Sequence, residues 1–330
     1  MNCSSTEGTV YTRNGGANQK YLQERIASLE GGKDCIGLAS GVAALSGLFF
    51  AMLESGDPVV FSSVAYIAVY RLLNELFKNK FNVETTIVDT TDLEAVKAAI
   101  RPDTKLVHIE TPGNPALGIA DIEAIAKIVH ENGALLGMDN SFASPFNQRP
   151  IEFGTDFVIE SLTKYINGHG DAMGGAISPF NAWLIMRCSV TLPPRMRQHN
   201  ENAQKVAEWL EAQPCVSFVS YPGLKSHKEH EIARKQVSTG FGGVLSFGLK
   251  TDHDTHNRFV SYLKVITSAV SLGHDESLIV FLDEDDDRQC LYPEEFHNVF
   301  FRFSVGIEDV AGIIENLRQA LEKAGLPTAK

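Results

Sequence analysis

The sequence predicts an α/β fold built on a mostly parallel sheet, followed by a smaller α+β domain. Three observations carry that expectation. Short apolar runs alternate with helical stretches between residues 56 and 163, the pattern of strand–helix units whose helices cover both faces of a sheet. Later in the chain separate strands become denser, at Val216–Ser220, Gly242–Phe247, Ser277–Phe281 and Phe300–Ser304. A length of 330 residues suffices for one large and one smaller domain. The boundaries read as an arm over residues 1–20, a large domain over 21–193 and a C-terminal domain over 194–330.

The elements follow in order. Residues 1–20 are polar and glycine-rich and can form no core, so they read as an arm or loop. A helix over Tyr21–Gly32 and a short buried strand at Cys35–Ala39 come next. Ser40 is a good N-cap for a helix reaching Ser55, and a helix start opened by Ser-Gly offers free N–H groups to an anion. Strands at Gly56–Ser62, Val83–Val88, Lys105–Ile109, Ala134–Met138 and Asp156–Ile159 alternate with helices opened by Tyr66 and running over Asp92–Ile100 and Asp121–Asn132. The loop Glu110-Thr-Pro-Gly-Asn-Pro115 lies just past a strand, where open α/β sheets bind ligands. Asp139 ends a buried strand, a costly place for a carboxylate without a partner. Pro179–Arg187 leads into a long amphipathic helix, Pro194–Gln213, and Gly306–Ala324 closes the chain.

The stretch after the Asp156–Ile159 strand concentrates the chemistry. Ser161, Thr163 and Lys164 are followed by Gly168, Gly170 and Gly174. Hydroxyls, a lysine and glycines at a strand end suit a phosphorylated ligand, and the lysine can also serve as a nucleophile when it loses its proton. A surface lysine after a strand is the plainer alternative. The order of residues matches neither a Walker loop nor the dinucleotide fingerprint.

Composition narrows the partners. A net charge of −12 argues against nucleic acid or an anionic membrane, and no apolar run is long enough to span a bilayer. The N-terminus lacks the basic-then-apolar order of a signal peptide. Five scattered cysteines without a Cys-x-x-Cys pair fit a reducing cytoplasm better than a disulfide framework or zinc site. The pairs His227/His230 and His253/His256 have ligand-like spacing but no clearly placed acidic third ligand, and the Asp283–Asp287 run reads as a solvated loop, so no metal is expected.

The pattern Ser161-x-Thr163-Lys164-Tyr165-x-x-Gly168-His169 resembles the cofactor-lysine motif of the Cys/Met-metabolism family of pyridoxal-phosphate (PLP) enzymes. The likeness extends from Tyr11-Thr-Arg13 and the Tyr21–Gly32 helix to Ser271-Leu-Gly and Phe301-Arg302-Phe-Ser-Val-Gly306, essentially the whole chain. It implies a PLP-dependent aminotransferase-like fold (fold type I) with active sites shared across a dimer, in a homo-oligomer taken as a tetramer.

It also implies roles. Lys164 would carry PLP and act as base. Asp139 would pair with the pyridine nitrogen, and Asn114 would sit beside the phenolic oxygen. Ser40, Gly41, Val42, Ser161 and Thr163 would hold the phosphate, joined by Tyr11 and Arg13 of a neighbouring subunit. Tyr66 would stack on the ring and assist the leaving group. Arg302 would bind the substrate carboxylate, with Ser271 beside the lysine. Val270 stands where enzymes handling cystathionine by γ-chemistry commonly place a glutamate, and so favours a neutral thioether side chain. Ala68 replaces the cysteine that methionine γ-lyases often carry. The expectation is a carbon–sulfur lyase acting by γ-elimination on sulfur amino acids, methionine γ-lyase-like or cystathionine γ-lyase-like. The alternatives are cystathionine β-lyase, cystathionine γ-synthase, O-acetylhomoserine sulfhydrylase or, more distantly, a non-catalytic PLP-binding protein.

Overall fold

The computed structural model describes residues 16–172, 178–282 and 289–329. Helix α1 (Ala17–Glu30) stops at Gly31, whose left-handed φ of 72° turns its N–H onto Ala27 O. Helix α2 (Gly41–Met52) is capped by Ser40, whose Oγ accepts from Ala43 N at 3.0 Å. The strand–helix units are β1 (Pro58–Ser62), α3 (Ile67–Tyr70), a π-helical segment at Arg71–Phe77 running into α4 (Lys78–Phe81), β2 (Glu84–Val88), α5 (Leu93–Ala99), β3 (Leu106–Glu110), α6 (Ile122–Glu131), β4 (Leu135–Asp139), α7 (Ser144–Asn147) and β5 (Phe157–Ile159). Asp92 and Asp121 cap α5 and α6 through their carboxylates.

These strands form a parallel sheet in the order β2-β1-β3-β4-β5. The two-residue alternation of a strand divides its core. Val60, Val107, Ile109, Leu136 and Met138 pack with Ile122, Ile125 and Val129 of α6. Val59, Phe61, Leu106 and Ile159 pack on the other face with Leu45 and Phe49 of α2 and with Val69 and Leu73. The chain leaves β1 for β2 on one side and returns to β3 on the other, which opens a crevice at the carboxyl ends of the strands. The register there sets Glu110 beside Asp139 and Asp139 beside Ile159.

The rest of the chain contributes α8 (Pro179–Ser189), α9 (Leu192–Glu211), β6 (Val216–Ser220), α10 (His230–Gln236), β7 (Val244–Leu249), α11 (His253–Ser261), β8 (Thr267–Ser268), β9 (Leu278–Leu282), β10 (Phe300–Ser304) and α12 (Val310–Lys323). A second sheet runs β6-β7-β10-β9-β8, antiparallel except where β8 meets β9. Helix α9 spans two cores. Leu192 and Met196 pack with α1 and α8, whereas Ala203, Val206, Ala207 and Leu210 pack against the second sheet. Its prolines Pro193 and Pro194 lie in the first turn, where a missing N–H costs nothing.

Two expected elements differ. Ala17–Lys20, expected at the end of an arm or loop, already belong to α1. Cys35–Ala39 is not a strand: no neighbouring strand pairs with it, Ile36 is 79% exposed, and Gly37 N donates to the Gln23 side chain at 2.9 Å. A short apolar run does not by itself secure a ladder partner. No described helix is long and apolar enough to cross a membrane.

Candidate active site

The crevice brings Lys164, Asp139, Ser271, Arg302, Asn114 and Tyr66 into one group, although they come from distant parts of the chain. Lys164 sits in the turn after β5, held by its own N–H to Ser161 O at 3.0 Å and by Gly168 N to its carbonyl at 2.8 Å. Its Nζ donates to Ser271 Oγ at 3.2 Å. Burial, aided by the Arg302 charge and opposed by Asp139, pulls the amine down to about 8, which makes its proton easier to lose than that of an ordinary lysine.

Asp139 ends β4 with 8% of its surface exposed. Ser141 N donates to its Oδ1 at 3.0 Å. Burial raises its pKa despite that bond and the Lys164 charge. A buried carboxylate of this kind is best stabilised by a cation that arrives with a ligand.

Arg302 lies on the central strand β10 of the second sheet and reaches across to the first. Its Nη1 donates to Asn114 Oδ1 at 3.1 Å, and its Nη2 donates to Val270 O at 2.8 Å and to Ser271 O at 3.3 Å. Burial lowers it to about 10, still cationic at neutral pH. Its Nε is buried without a hydrogen-bond partner, and an oxygen of an incoming carboxylate would satisfy it. Glu110 ties the neighbouring loop: Tyr66 N donates to its Oε2 at 2.6 Å and Asn114 N to its Oε1 at 3.2 Å.

The N-terminus of α2 faces the same turn. A Cβ on Gly41 would lie 3.2 Å from Ser161 Cβ and 3.3 Å from its Oγ, so glycine lets the helix end sit this close without displacing Ser161. Ser161 N donates to Ser141 Oγ at 2.7 Å. Free N–H groups at the start of this 12-residue helix, opened by Ser40 and packed at Gly41 against Ser161, form a cradle suited to a phosphate, and Thr163 lies in the turn that follows Ser161.

Other expected site residues stand apart. Val270 contributes its carbonyl to Arg302, but its side chain is 79% exposed. Tyr11 and Arg13 lie outside the described residues, as does the Asp283–Asp287 run. His227 contacts Glu229 and His230 the Pro222 carbonyl, while His253 and His256 pack against Phe281. Among the described residues no three metal-ligating side chains converge.

Several residues that matter carry little sequence signal. Glu110 organises the Tyr66 and Asn114 backbones. Arg195 is buried and donates from Nη1 to Tyr165 O at 2.7 Å and from Nη2 to Ile166 O at 3.2 Å and Cys188 O at 3.3 Å, bracing the lysine turn. Gly168 has φ 74°, and a Cβ there would collide with that guanidinium. Tyr165 donates no charge to the site; its buried hydroxyl accepts from Gly243 N at 2.9 Å. Glu160 and Glu30 form a buried carboxyl pair next to Asn140, in which burial and then mutual repulsion push Glu160 upward, favouring a protonated form. None belongs to a periodic pattern, so only the folded chain reveals them.

Comparison with known proteins agrees with this geometry. The family described as "Cys/Met metabolism PLP-dependent enzyme" matches residues 2–178 and 172–322. The chain is 47% identical to a canavanine gamma-lyase of Pseudomonas canavaninivorans over 98% of its own length and 87% of the relative's. It is 36% identical to an L-methionine gamma-lyase of Treponema denticola, covering 96% and 86% of the two chains. The crystal structure of metB from Corynebacterium glutamicum superposes with a TM-score of 0.88 at 40% identity, over 96% of this chain and 88% of that one. With a lysine, an aspartate and a helix-end cradle arranged in this way, the chain belongs to the Cys/Met metabolism family of enzymes, and its cofactor is pyridoxal phosphate.

Proposed function

We propose that the protein is a lyase catalysing γ-elimination from amino acids whose side chain carries a heteroatom leaving group. Methionine and cystathionine are carbon–sulfur substrates of that class, and canavanine extends it to a guanidino-oxy group. The products are a 2-oxo acid, ammonia and the departing group. The observation that carries this reading is the Lys164 amine, drawn down to about 8 by burial and by the Arg302 charge against the pull of Asp139, and hydrogen-bonded to Ser271. The names of relatives at 36–47% identity support the γ-position.

Bound there, pyridoxal phosphate supplies an electron sink for charge developing at the substrate Cα. Lys164 would hold it, and its amine would take the Cα proton. Asp139 would meet the pyridine nitrogen and stabilise its positive charge. Ser40, Gly41, Val42, Ser161 and Thr163 would hold the phosphate, and Asn114 would sit beside the phenolic oxygen. Arg302 orients the substrate through its carboxylate, and Tyr66 moves a proton near the leaving group. An assay with canavanine, methionine, cystathionine, cysteine and O-acetylhomoserine plus sulfide, reading ammonia, 2-oxo acid and thiol separately, tests the reading. Replacement without 2-oxo acid would favour the synthase or sulfhydrylase alternative, pyruvate from cystathionine the β-lyase alternative, and no turnover by PLP-loaded protein a binding role.

Val270 tests specificity. Because its side chain is exposed, a glutamate there stays hydrated and attracts a distal cation weakly, by about 1 kcal/mol. Val270→Glu is expected to raise the kcat/KM ratio of canavanine or cystathionine over methionine about fivefold. An unchanged ratio assigns the position to the surface.

We place the domain boundary between residues 193 and 194, at the start of α9, which passes from one core to the other farther along, between Met196 and Ala203. The assembly we propose is a homotetramer of site-sharing dimers in the cytoplasm. Five scattered cysteines without a Cys-x-x-Cys pair support a reducing compartment. If Tyr11 and Arg13 serve a neighbouring subunit, Arg13→Ala and Lys164→Ala chains, each nearly inactive alone, regain activity when mixed, in about half of the sites of each mixed dimer. Verified mixed oligomers that stay inactive assign the arm to its own subunit.

A further inference from the structure

We propose that His274 is a positioning residue of the active site, joined to Lys164 by Ser271 in a proton path that lets the lysine shed and recover its proton. Two distances define the path. Lys164 Nζ lies 3.2 Å from Ser271 Oγ, and the same Oγ lies 2.8 Å from His274 Nε2. The proposal rests on Lys164 acting as the Cα base.

The chemistry of the groups orders the hydrogens. An ammonium has donors and no acceptor, whereas a hydroxyl has one donor and two lone pairs. While Lys164 is charged it donates to Ser271 Oγ, so the serine proton points at His274 Nε2. The imidazole is then neutral, with its hydrogen on Nδ1. When Lys164 gives its proton to Ser271 Oγ, the serine passes its own proton to Nε2. One N–H and one O–H bond break and one O–H and one N–H bond form, leaving a neutral amine and an imidazolium. The reverse passage recharges the lysine. No other reactant is needed.

The loop carrying His274 is held on both sides by backbone bonds that do not involve the imidazole. Gly273 N donates to Ser304 Oγ at 2.9 Å, and Asp275 N donates to Gly168 O at 2.9 Å. Leu272 is buried, and Arg302 binds the Ser271 carbonyl. The ring itself lies over Gly170, where a Cβ would come within 3.0 Å of Nδ1. Gly170 has φ 68°, so the space under the imidazole belongs to a backbone shape that excludes most side chains. The charges acting on His274 are Lys164 from the facing turn and Asp275 and Glu276 from its own loop. Arg302 and Asp139 act on the lysine end. Burial and the Lys164 charge both lower the histidine, which keeps Nε2 available as an acceptor near neutrality.

Two substitutions separate proton acceptance from mere orientation. His274→Gln retains an amide oxygen that can accept from Ser271 but cannot take the proton, and His274→Ala removes both functions. In the PLP-loaded full chain both variants should lose about tenfold in kcat, with KM changed less. Added imidazoles should restore part of the His274→Ala rate, more so as their basicity rises. A His274→Gln enzyme that turns over like the wild type overturns the proposal.

A second readout needs no turnover. In cofactor-free protein with labelled histidines, the His274 NMR titration should move to higher pH when Lys164 becomes methionine, because the Lys164 charge that lowers it is gone. An unmoved midpoint also overturns the path. Should the cofactor instead map to another lysine, the function proposed for Lys164 fails while this coupling remains measurable, so the two failures are distinct.

Discussion

Lys164→Ala is expected to lose at least about four orders of magnitude in turnover, because one side chain is both the cofactor anchor and the proposed Cα base. Borohydride treatment of the wild type followed by peptide mass mapping should find the cofactor fixed at Lys164 and nowhere else. An adduct at another lysine would falsify the assignment. Lys164→Met extends the test to stability. The folded amine sits at about 8 against an unfolded value of 10.5. The folded state therefore binds fewer protons between these values, and stability rises with pH across that window. Below pH 8 the buried amine is charged at a cost. Cofactor-free Lys164→Met should then melt above wild type at pH 7, with the difference shrinking as pH passes 10. Equal pH slopes for the two proteins would show that the lysine is not destabilised by burial.

Asp139→Asn should lower kcat by about a hundredfold or more and weaken cofactor retention, since the amide cannot neutralise a pyridinium. The same change should stabilise the cofactor-free chain. Its side-chain oxygen can still accept from Ser141 N, while the ionisable group, raised by burial, is gone. The sign follows from the raised folded pKa. Wild-type stability attributable to Asp139 is fully present below the ordinary carboxylate range and is lost as pH rises through the folded value. The melting advantage of Asp139→Asn should therefore grow with pH above about 4. Cofactor dialysis and calorimetry check the two halves. A variant that binds the cofactor normally and gains no stability leaves Asp139 without its proposed role.

The large sheet was legible because its strands are short apolar runs set between capped helices. Asp92 and Asp121 mark helix starts at sequence level and cap α5 and α6 in the fold. The strand-end position of Asp139 and the glycine-spaced turn after Lys164 were visible for the same local reason. Cys35–Ala39 misled because apolarity describes a side chain's preference, whereas a strand also needs a partner ladder. Glu110, Arg195 and His274 were hidden for a different reason. Each works through a partner far away in the chain: Glu110 binds Tyr66 N 44 positions off, Arg195 the Tyr165 carbonyl 30 positions off, and His274 reaches Lys164 through a serine. Spacing rules describe neighbours on one element and say nothing about such pairings.

The bracing of the lysine turn by Arg195 has an evolutionary consequence. Gly168 cannot acquire a side chain while the guanidinium fills the space where its Cβ would stand, and the left-handed backbone adds its own resistance. Arg195 cannot be lost first without stripping the donors from the Tyr165, Ile166 and Cys188 carbonyls. Either single change is expected to destabilise the lysine turn, so the two positions constrain each other's mutational history. A lineage of this chain should keep both residues or exchange both together, and an ancestor reconstructed with only one of them would be the least stable point on its path.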